Sequence, residues 1–300
     1  CNGMRLSMAA KKRREAYTFI LPGFIYLLIV CGYPLLYNII LSFKNVNVKN
    51  MATGTSVFVG LDNYKNLLSD PTFQLVFKNT IIFTLACLVV QFTIGFIFAM
   101  FFSQKFTFAG PVRGLVLVGY MMPMSVTALL GKNLFLLDGG VINDVLMKLH
   151  LVSAPVDWLV NGGTALGAVI AVNCWVGIPF NMLLLTSGLT GISNDIYESA
   201  SIDGANKLQR FLHITLPLMK PAMLSVLMLG FIYTFKAFDL MFIMTAGGPF
   251  NSTDVLGTYA YSKAFTQYEF SQGSTIAMIL FACLFLVGLF YLRLLSKEDD

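Results

Sequence analysis

The chain has 300 residues, of which 57% are hydrophobic and 12% are charged, and its formal net charge is +5. A soluble globular protein cannot bury so large an apolar fraction and still keep a wettable surface, so the composition excludes that class. The positive charge is typical of membrane topology and of contact with anionic headgroups. A basic face interleaved with aromatic residues is absent from the sequence, so no nucleic-acid partner is expected.

Six apolar runs are long enough to cross a bilayer, which requires roughly 20 apolar residues per helix. These runs do not alternate in polarity, which excludes a transmembrane barrel. We therefore predict an all-α membrane protein. Its six transmembrane helices are expected at residues 17–43, 79–103, 112–137, 164–190, 222–246 and 273–295.

The sequence KKRR at residues 11–14 directly precedes the first span. Basic residues favour the cytoplasmic side of a membrane, so the N-terminus is predicted to be cytoplasmic, and an even number of spans returns the C-terminus to the same side. The predicted organisation is a cytoplasmic segment 1–16, a single six-helix transmembrane domain 17–295 and a cytoplasmic tail 296–300.

A short outer helix is predicted before the second span. Leu61, Tyr64, Leu67 and Leu68 recur at helical spacing, and Ser-Asp-Pro at 69–71 is typical of a cap and first turn. This helix would either belong to a docking platform for an external protein or cover the rim of a pore.

Two prolines fall inside predicted spans, Pro123 in the third and Pro179 in the fourth. Each removes a backbone donor and is expected to kink its helix, forming a hinge or widening a cavity. Prolines are also simply tolerated in membrane helices, so both interpretations stay open.

The sequence contains no signature of catalysis. A phosphate-binding GxxxxGK[ST] loop is absent, as are GxSxG and HExxH. The two histidines, His150 and His213, are predicted in loops on opposite faces, which excludes a shared metal site. We expect no catalytic residue, no metal site and no cofactor on this chain.

Residues 191–221, between the fourth and fifth spans, predict a helix-turn-helix. Ser193, Asn194 and Asp195 are capping residues for a first helix, which ends at Asp203-Gly204 because glycine readily adopts the left-handed cap. A second helix is expected to place Leu208, Phe211 and Leu212 on one apolar face. Pro217 and Pro221 mark the entry into the fifth span. Residue types alone leave a protein-docking knob and a lipid-surface helix equally open.

Three stretches resemble one family. The order Glu198-Ser199-Ala200, Gly204, then Ile214 to Pro217 resembles the EAA motif in membrane subunits of bacterial ABC importers, with Ser199 in place of the first alanine. Residues 58–80 and 235–265 resemble an outer loop and the end of the fifth span in the carbohydrate-uptake branch. The resemblance implies the type I importer permease fold and a location in the bacterial cytoplasmic membrane.

The resemblance also implies partners. In that family the EAA segment is a coupling helix held in a cleft of a separate ATPase, which binds ATP and Mg²⁺. The assembly contains two permease subunits, usually different chains in the sugar branch, two ATPase copies and an external solute-binding protein. The residues carried over to coupling are Glu198, Ser199, Ala200, Asp203, Gly204, Ala205, Leu216 and Pro217.

Polar residues within lipid usually face a cavity or one another. Lys236 and Asp239, at i and i+3 of the fifth helix, are close enough to pair, so they form either a structural ion pair or a gate at the external mouth. The other candidates for a sugar path are Gln91, Asn173, Trp175 and Tyr233. For Gln91, Asn173 and Trp175, interhelical hydrogen bonds and interfacial packing are equally valid explanations.

The predicted function is the permease subunit of an ATP-driven sugar importer. Two alternatives remain at this stage. An ABC permease for another solute, such as a polyol, a glycerol phosphate or a peptide, would share the EAA segment. An ion-coupled secondary carrier would need an inverted repeat or a buried ion-binding constellation.

Overall fold

The computed structural model describes residues 2–104 and 107–296, except for the side chains of residues 2–9 and 14. The described chain is almost entirely helical. In chain order its α-helices are α1 (Asn2–Leu27), α2 (Tyr33–Ser42), α3 (Val48–Thr53), α4 (Asp62–Ser69), α5 (Pro71–Phe102), α6 (Ala109–Met121), α7 (Met124–Leu134), α8 (Val141–Lys148), α9 (Ala165–Thr190), α10 (Asn194–Ile202), α11 (Lys207–Arg210), α12 (Leu216–Phe235), α13 (Asp239–Met244), α14 (Leu256–Tyr261) and α15 (Phe270–Ser296).

Three π-helical turns join neighbouring helices, at Leu28–Gly32, Phe211–Thr215 and Ser262–Thr266. Two short strands, β1 (Lys44–Asn45) and β2 (Val57–Phe58), pair antiparallel with Lys44 opposite Phe58. We call the end of the molecule that carries this pair the hairpin end. The opposite end carries residues 191–221, which we call the coupling segment.

The six-span all-α prediction is confirmed. Five helical stretches are long and apolar enough to cross a membrane, and a bent pair supplies the sixth. The continuous stretches are Ala10–Ser42, Pro71–Phe102, Ala165–Thr190, Lys207–Met244 and Phe270–Ser296. The predicted tail 296–300 lies, apart from Ser296, outside the described residues.

The short helix before the second span is also confirmed as α4. Asp70 then caps α5 by accepting a hydrogen bond from the Thr72 amide at 2.9 Å, and Pro71 occupies the first turn. The helix therefore begins ahead of the predicted boundary at residue 79, because these local signals start it before the apolar run does.

The third span is not the single helix 112–137 that the apolar run indicates. It consists of α6 and α7, bent by 96°. Proline disfavours helical backbone in the preceding residue, and Met122 is extended, with φ −73° and ψ 136°. Pro123 therefore ends α6 and redirects the chain. Pro179 has no such effect, because α9 continues through it.

The fifth span is broken between α12 and α13, whereas the sequence predicts a continuous helix over 222–246. Helix α14 packs against the break. A Cβ atom added to Gly257 would lie 3.0 Å from the Ala237 carbonyl oxygen, and the Phe238 and Tyr261 rings are 5.2 Å apart. The contact with α14 thus accompanies a local loss of helix at residues 236–238.

The centre of the bundle is the contact between α5 and α9. Small residues let membrane helices approach closely. An added Cβ at Gly95 on α5 would lie only 2.6 Å from the Cβ of Asn181 on α9. Phe83 and Cys87 of α5 and Val169 of α9 share one buried cluster. These two helices therefore form the closely packed centre of the bundle.

The first span lies at the periphery. None of its most apolar window is buried within this chain. Its last section, α2, is held to α15 by a hydrogen bond of 3.0 Å from Ser274 to Asn38. The exposed apolar side chains of the first span are thus available to lipid or to another chain.

Candidate functional site

The first helix of the coupling segment begins and ends as its sequence predicts. The Ser193 hydroxyl accepts a hydrogen bond from the Asp195 amide at 3.3 Å. At the other end Gly204 has φ +81°, its amide donates to the Ser201 carbonyl at 3.2 Å, and the Ala205 amide donates to the Ala200 carbonyl at 2.9 Å. This Schellman motif requires a left-handed residue, which explains the glycine.

The second helix starts at an Asn206 cap, where Asn206 and Gln209 exchange hydrogen bonds of 2.9 and 2.8 Å. It does not end before the fifth span. Helix α11 runs through the π-helical turn into α12, so the coupling segment and the fifth span share one stretch, Lys207–Met244. Pro217 lies in the first turn of α12, after the π turn, and Pro221 lies inside that helix.

Side chains brace the two helices of the coupling segment against each other. Arg210 donates to the Ser201 hydroxyl at 2.7 Å, and the hydroxyls of Tyr197 and Thr215 are 3.0 Å apart. Arg210 is half-buried, and its guanidinium is used within the fold. No sequence pattern predicts the contact between Tyr197 and Thr215.

The predicted coupling residues differ in exposure. Glu198, Ser199, Asp203, Gly204 and Pro217 are exposed, whereas Ala200, Ala205 and Leu216 are half-buried. Ile202 stands out among the apolar side chains of this tip, with 87% of its surface exposed. A shallow cavity of about 380 Å³ lies beside the turn and is lined by Asp203, Gly204, Ala205, Gln209, Arg210, His213 and Ile214.

A second cavity, of about 440 Å³, lies beside the break between α12 and α13. It brings together five of the six predicted path residues, which come from four separate helices and the break. The lining residues are Gln91, Tyr120, Met124, Asn173, Val176, Gly177, Phe180, Gly230, Tyr233, Thr234, Lys236, Ala237, Phe238, Asp239 and Leu240. We call this the path cavity.

Carboxamides form the deep wall of the path cavity. Gln91 donates to the Asn173 carbonyl at 3.2 Å, and Asn173 donates to the Cys87 sulfur at 3.2 Å. Both amide side chains are buried and tie α5 to α9. Gly177 makes room for Gln91, because an added Cβ there would overlap the amide. The interhelical hydrogen bonds that the sequence left open are therefore present.

The charged wall of the path cavity lacks the ion pair that the sequence allows between Lys236 and Asp239. Lys236 and Asp239 are both exposed and form no ion pair with each other. The i, i+3 geometry needed for pairing is lost because α12 ends at Phe235. The Lys236 ammonium lies instead 5.4 Å from the centroid of the Tyr233 ring, a cation–π distance.

Aromatic rings continue this wall. The Phe180 ring lies 5.8 Å from Tyr233 and 5.5 Å from Tyr120, centroid to centroid. Tyr120 and Phe180 were missed by sequence reasoning, because a ring within an apolar helix carries no signal of its direction. Trp175 does not line the path cavity; its side chain is 65% exposed and lies against Gly119 of α6.

The path cavity offers a sugar-sized molecule amide donors and acceptors, aromatic faces and one charge of each sign. Such groups bind hydroxylated solutes without covalent chemistry. Within residues 2–104 and 107–296, no three His, Cys, Asp or Glu residues are grouped to hold a metal ion.

Comparison with known proteins identifies the family. The family described as "Binding-protein-dependent transport system inner membrane component" matches residues 91–298. The sulfoquinovosyl glycerol transport system permease protein SmoG of Agrobacterium fabrum is 30% identical over 287 residues, or 96% of this chain and 92% of that protein. The diacetylchitobiose uptake system permease protein DasB of Streptomyces coelicolor is 28% identical over 289 residues, or 95% of this chain and 87% of that protein.

The fold matches that of a solved structure. A chain of the bacterial alginate ABC transporter, crystallised in complex with an alginate pentasaccharide-bound periplasmic protein, aligns with a TM-score of 0.81 and 20% identity over 96% of each chain. The match over residues 91–298 shows that the chain belongs to the family of binding-protein-dependent transport system inner membrane components.

Proposed function

We propose that this chain is the permease subunit of an ATP-driven sugar importer. It forms half of a translocation pathway, and ATP hydrolysis takes place on separate ATPase subunits that hold ATP and Mg²⁺. The family match and the sugar-transport relatives support this assignment. The path cavity, with its amides and aromatic rings, supplies the chemistry that sugar hydroxyls and sugar faces require.

The observation that carries the mechanism is the continuous helix from the coupling segment to the path cavity. It begins at Lys207, beside the exposed turn at Gly204, and reaches Phe235 at the break that presents Lys236 to the cavity. At 1.5 Å per residue this helix is roughly 40 Å long. Movement of the coupling segment is therefore passed by a rigid element to the cavity wall.

The exposed surfaces support the proposed partners. The tip formed by Glu198, Ser199 and Ile202 is the docking knob for an ATPase, of which the assembly holds two copies. Tyr233 and Lys236 line the path cavity yet are exposed, so a second permease, a paralogue of this one, closes the pathway. An external solute-binding protein delivers the sugar, and membrane lipid surrounds the remaining apolar surface.

The proposed location is the bacterial cytoplasmic membrane, with both termini and the coupling segment in the cytoplasm. The sequence KKRR before the first span supports this orientation. The hairpin end, with α4 and the chain between α13 and α15, then faces outward. ATP binding closes the ATPase pair, carries the coupling segment with it and switches the path cavity between inward and outward access.

The test is purification of the detergent-solubilised complex, with its co-purifying chains identified and its ATPase activity measured. Gly204→Trp and Glu198→Lys are compared with wild type. The matched glycine control is Gly54→Trp, because Gly54 is also a left-handed helix cap with open space around it but lies at the hairpin end. The charge control is Asp138→Lys, which changes an exposed carboxylate between α7 and α8.

The expected result is loss or uncoupling of the ATPase in both coupling-segment variants, with both controls unchanged. A wild-type protein that purifies without an ATPase would contradict the proposal. Inhibition of uptake into proteoliposomes by competing sugars then tests the solute class. Uptake that peptides inhibit and sugars do not would assign a different solute.

A further inference from the structure

Two cysteines lie in contact where α5 meets α9. Cys87 of α5 is 0% exposed and Cys174 of α9 is 5% exposed. Their thiols lie within hydrogen-bond distance of each other and belong to the buried cluster that holds Phe83 and Val169. The proposed function uses neither thiol. Facing sulfur atoms across a helix contact are a candidate ligand pair, because thiolates bind soft metal ions.

Each sulfur atom has a carboxamide beside it. The Asn173 side-chain amide donates to the Cys87 sulfur at 3.2 Å, and the Gln91 carboxamide is a hydrogen-bond partner of Cys174. Packing of thiols in an apolar core requires no such partners. The sulfur atoms of metal-bound thiolates, by contrast, are oriented and electrostatically stabilised by hydrogen bonds from surrounding groups. The pair therefore has the surroundings of metal ligands.

The number of ligands limits which cation fits this pair. Zn²⁺ in structural sites takes four ligands in a tetrahedron. Within the described ranges 2–104 and 107–296, no three His, Cys, Asp or Glu residues are grouped to hold a metal ion. Ca²⁺ and Mg²⁺ take oxygen ligands. Soft thiolates select monovalent cations such as Cu⁺, for which two sulfur ligands in a line form a complete coordination shell. The pair therefore favours a soft monovalent cation.

We propose that Cys87 and Cys174 form a binding site for one soft monovalent cation, Cu⁺ or Ag⁺. The cation forms a bond to each sulfur and replaces both thiol protons, which leave as H⁺. No electron is transferred, and the occupied site carries one net negative charge, beside the carboxamides of Asn173 and Gln91. Both of these residues line the path cavity, which supplies the route for the entering cation and the departing protons.

The experiment uses the detergent-solubilised permease with the chains that co-purify with it. The background variant carries Cys1→Ser, Cys31→Ser and Cys283→Ser, which leaves Cys87 and Cys174 as the remaining thiols among the five cysteines of the chain. Ag⁺ is the probe because it needs no reductant, unlike Cu⁺. Ag⁺ is titrated in chloride-free buffer, bound silver is counted by elemental analysis, and thiolate-to-metal absorption is followed in the ultraviolet.

Four variants in this background locate the bound silver. We expect one Ag⁺ per permease in the background, and a loss of affinity greater than about 100-fold in Cys87→Ser and in Cys174→Ser, beyond the range that an outer-shell change causes. Asn173→Ala should weaken binding by about 10–100-fold, as loss of an outer-shell partner does. Asn181→Ala is the matched control and should bind as the background does, because this buried amide of α9 donates to the Gly177 carbonyl instead.

Two results would overturn the inference. Unchanged Ag⁺ affinity in both cysteine variants would show that the cation is held elsewhere, and displacement of Ag⁺ by an equal concentration of Zn²⁺ would show a site with more ligands. Gel filtration checks that each variant is folded, and Cys87→Ala or Cys174→Ala replaces a serine variant that aggregates, with the same expected loss. Silver binding is measured without sugar, ATP or transport, so these results and those that test the proposed function are independent.

Discussion

The ammonium group of Lys236 lies 5.4 Å from the ring centroid of Tyr233, at the residue where α12 ends. This places the positive charge against an aromatic face of the path cavity, while Asp239 opens the next helix without an ion pair to Lys236. The two charges are therefore presented to the cavity separately. In the proposed function, a solute that enters this cavity would meet either charge without first breaking a salt bridge.

Separate charges predict independent effects on transport. We expect Lys236→Gln and Asp239→Asn each to slow sugar uptake into proteoliposomes, and their double variant to show the product of the two fold-changes. Because the two residues line one cavity but form no ion pair, their coupling free energy should lie near the lower end of the range for residues that share a cavity, about 0.5 kcal/mol. A double variant that restores wild-type uptake would show that the two groups pair during transport.

The contact between α5 and α9 at Gly177 can be tested by substitution. A side chain at this position would overlap the Gln91 amide. Gly177→Val should therefore lower the free energy of unfolding of the purified permease by roughly 1–3 kcal/mol, the usual cost of overpacking. A lower melting temperature would show this loss. Gly167→Val on the same helix is the matched control, since nothing lies within 4 Å of its added Cβ.

Rescue separates this packing effect from a general intolerance of valine on α9. Adding Gln91→Ala to Gly177→Val removes the overlapping amide and should recover part of the lost stability. Equal melting temperatures for the Gly177→Val and Gly167→Val variants would instead show that α5 and α9 can move apart at this point without loss of stability.

The features that sequence reasoning predicted are those encoded locally. A cap at Ser193, a left-handed glycine at Gly204 and the restriction that Pro123 places on Met122 each depend on a few neighbouring residues. The same holds for the start of α5 at Pro71. Long apolar runs predicted the presence of each span, because only a helix satisfies its own backbone hydrogen bonds in lipid, but they did not indicate that the third and fifth spans are broken.

The features that were missed depend on residues far apart in the sequence. The break at 236–238 is packed against Gly257 and Tyr261 of α14, and nothing within the apolar run indicates it. The direction of Trp175 was equally hidden, because α9 is apolar all round and its sequence does not show which face meets α6. The aromatic wall through Tyr120 and Phe180 required α6, α9 and α12 to be assembled.

The burial of Asp254 predicts that the stability of the protein depends on pH. Asp254 is 7% exposed, and its carboxyl group accepts a hydrogen bond of 2.8 Å from Thr258. Burial raises the pKa of this carboxyl above its ordinary value, and the Thr258 hydrogen bond offsets only part of the rise. The folded protein thus holds the Asp254 proton more tightly than the unfolded chain does. Stability should therefore fall as pH rises from the ordinary pKa through the raised one.

Asp254→Asn keeps an acceptor for Thr258 and removes the buried charge, so it should flatten this part of the pH profile. At neutral pH we expect a melting temperature higher by about 2–4 °C, the shift that roughly 1 kcal/mol produces in a protein of this size. The measurement is thermal unfolding of the purified permease between acidic and neutral pH, with the exposed Asp138→Asn as control. A steeper profile, or a lower melting temperature at neutral pH, would show that the ionised carboxylate stabilises the loop between α13 and α14.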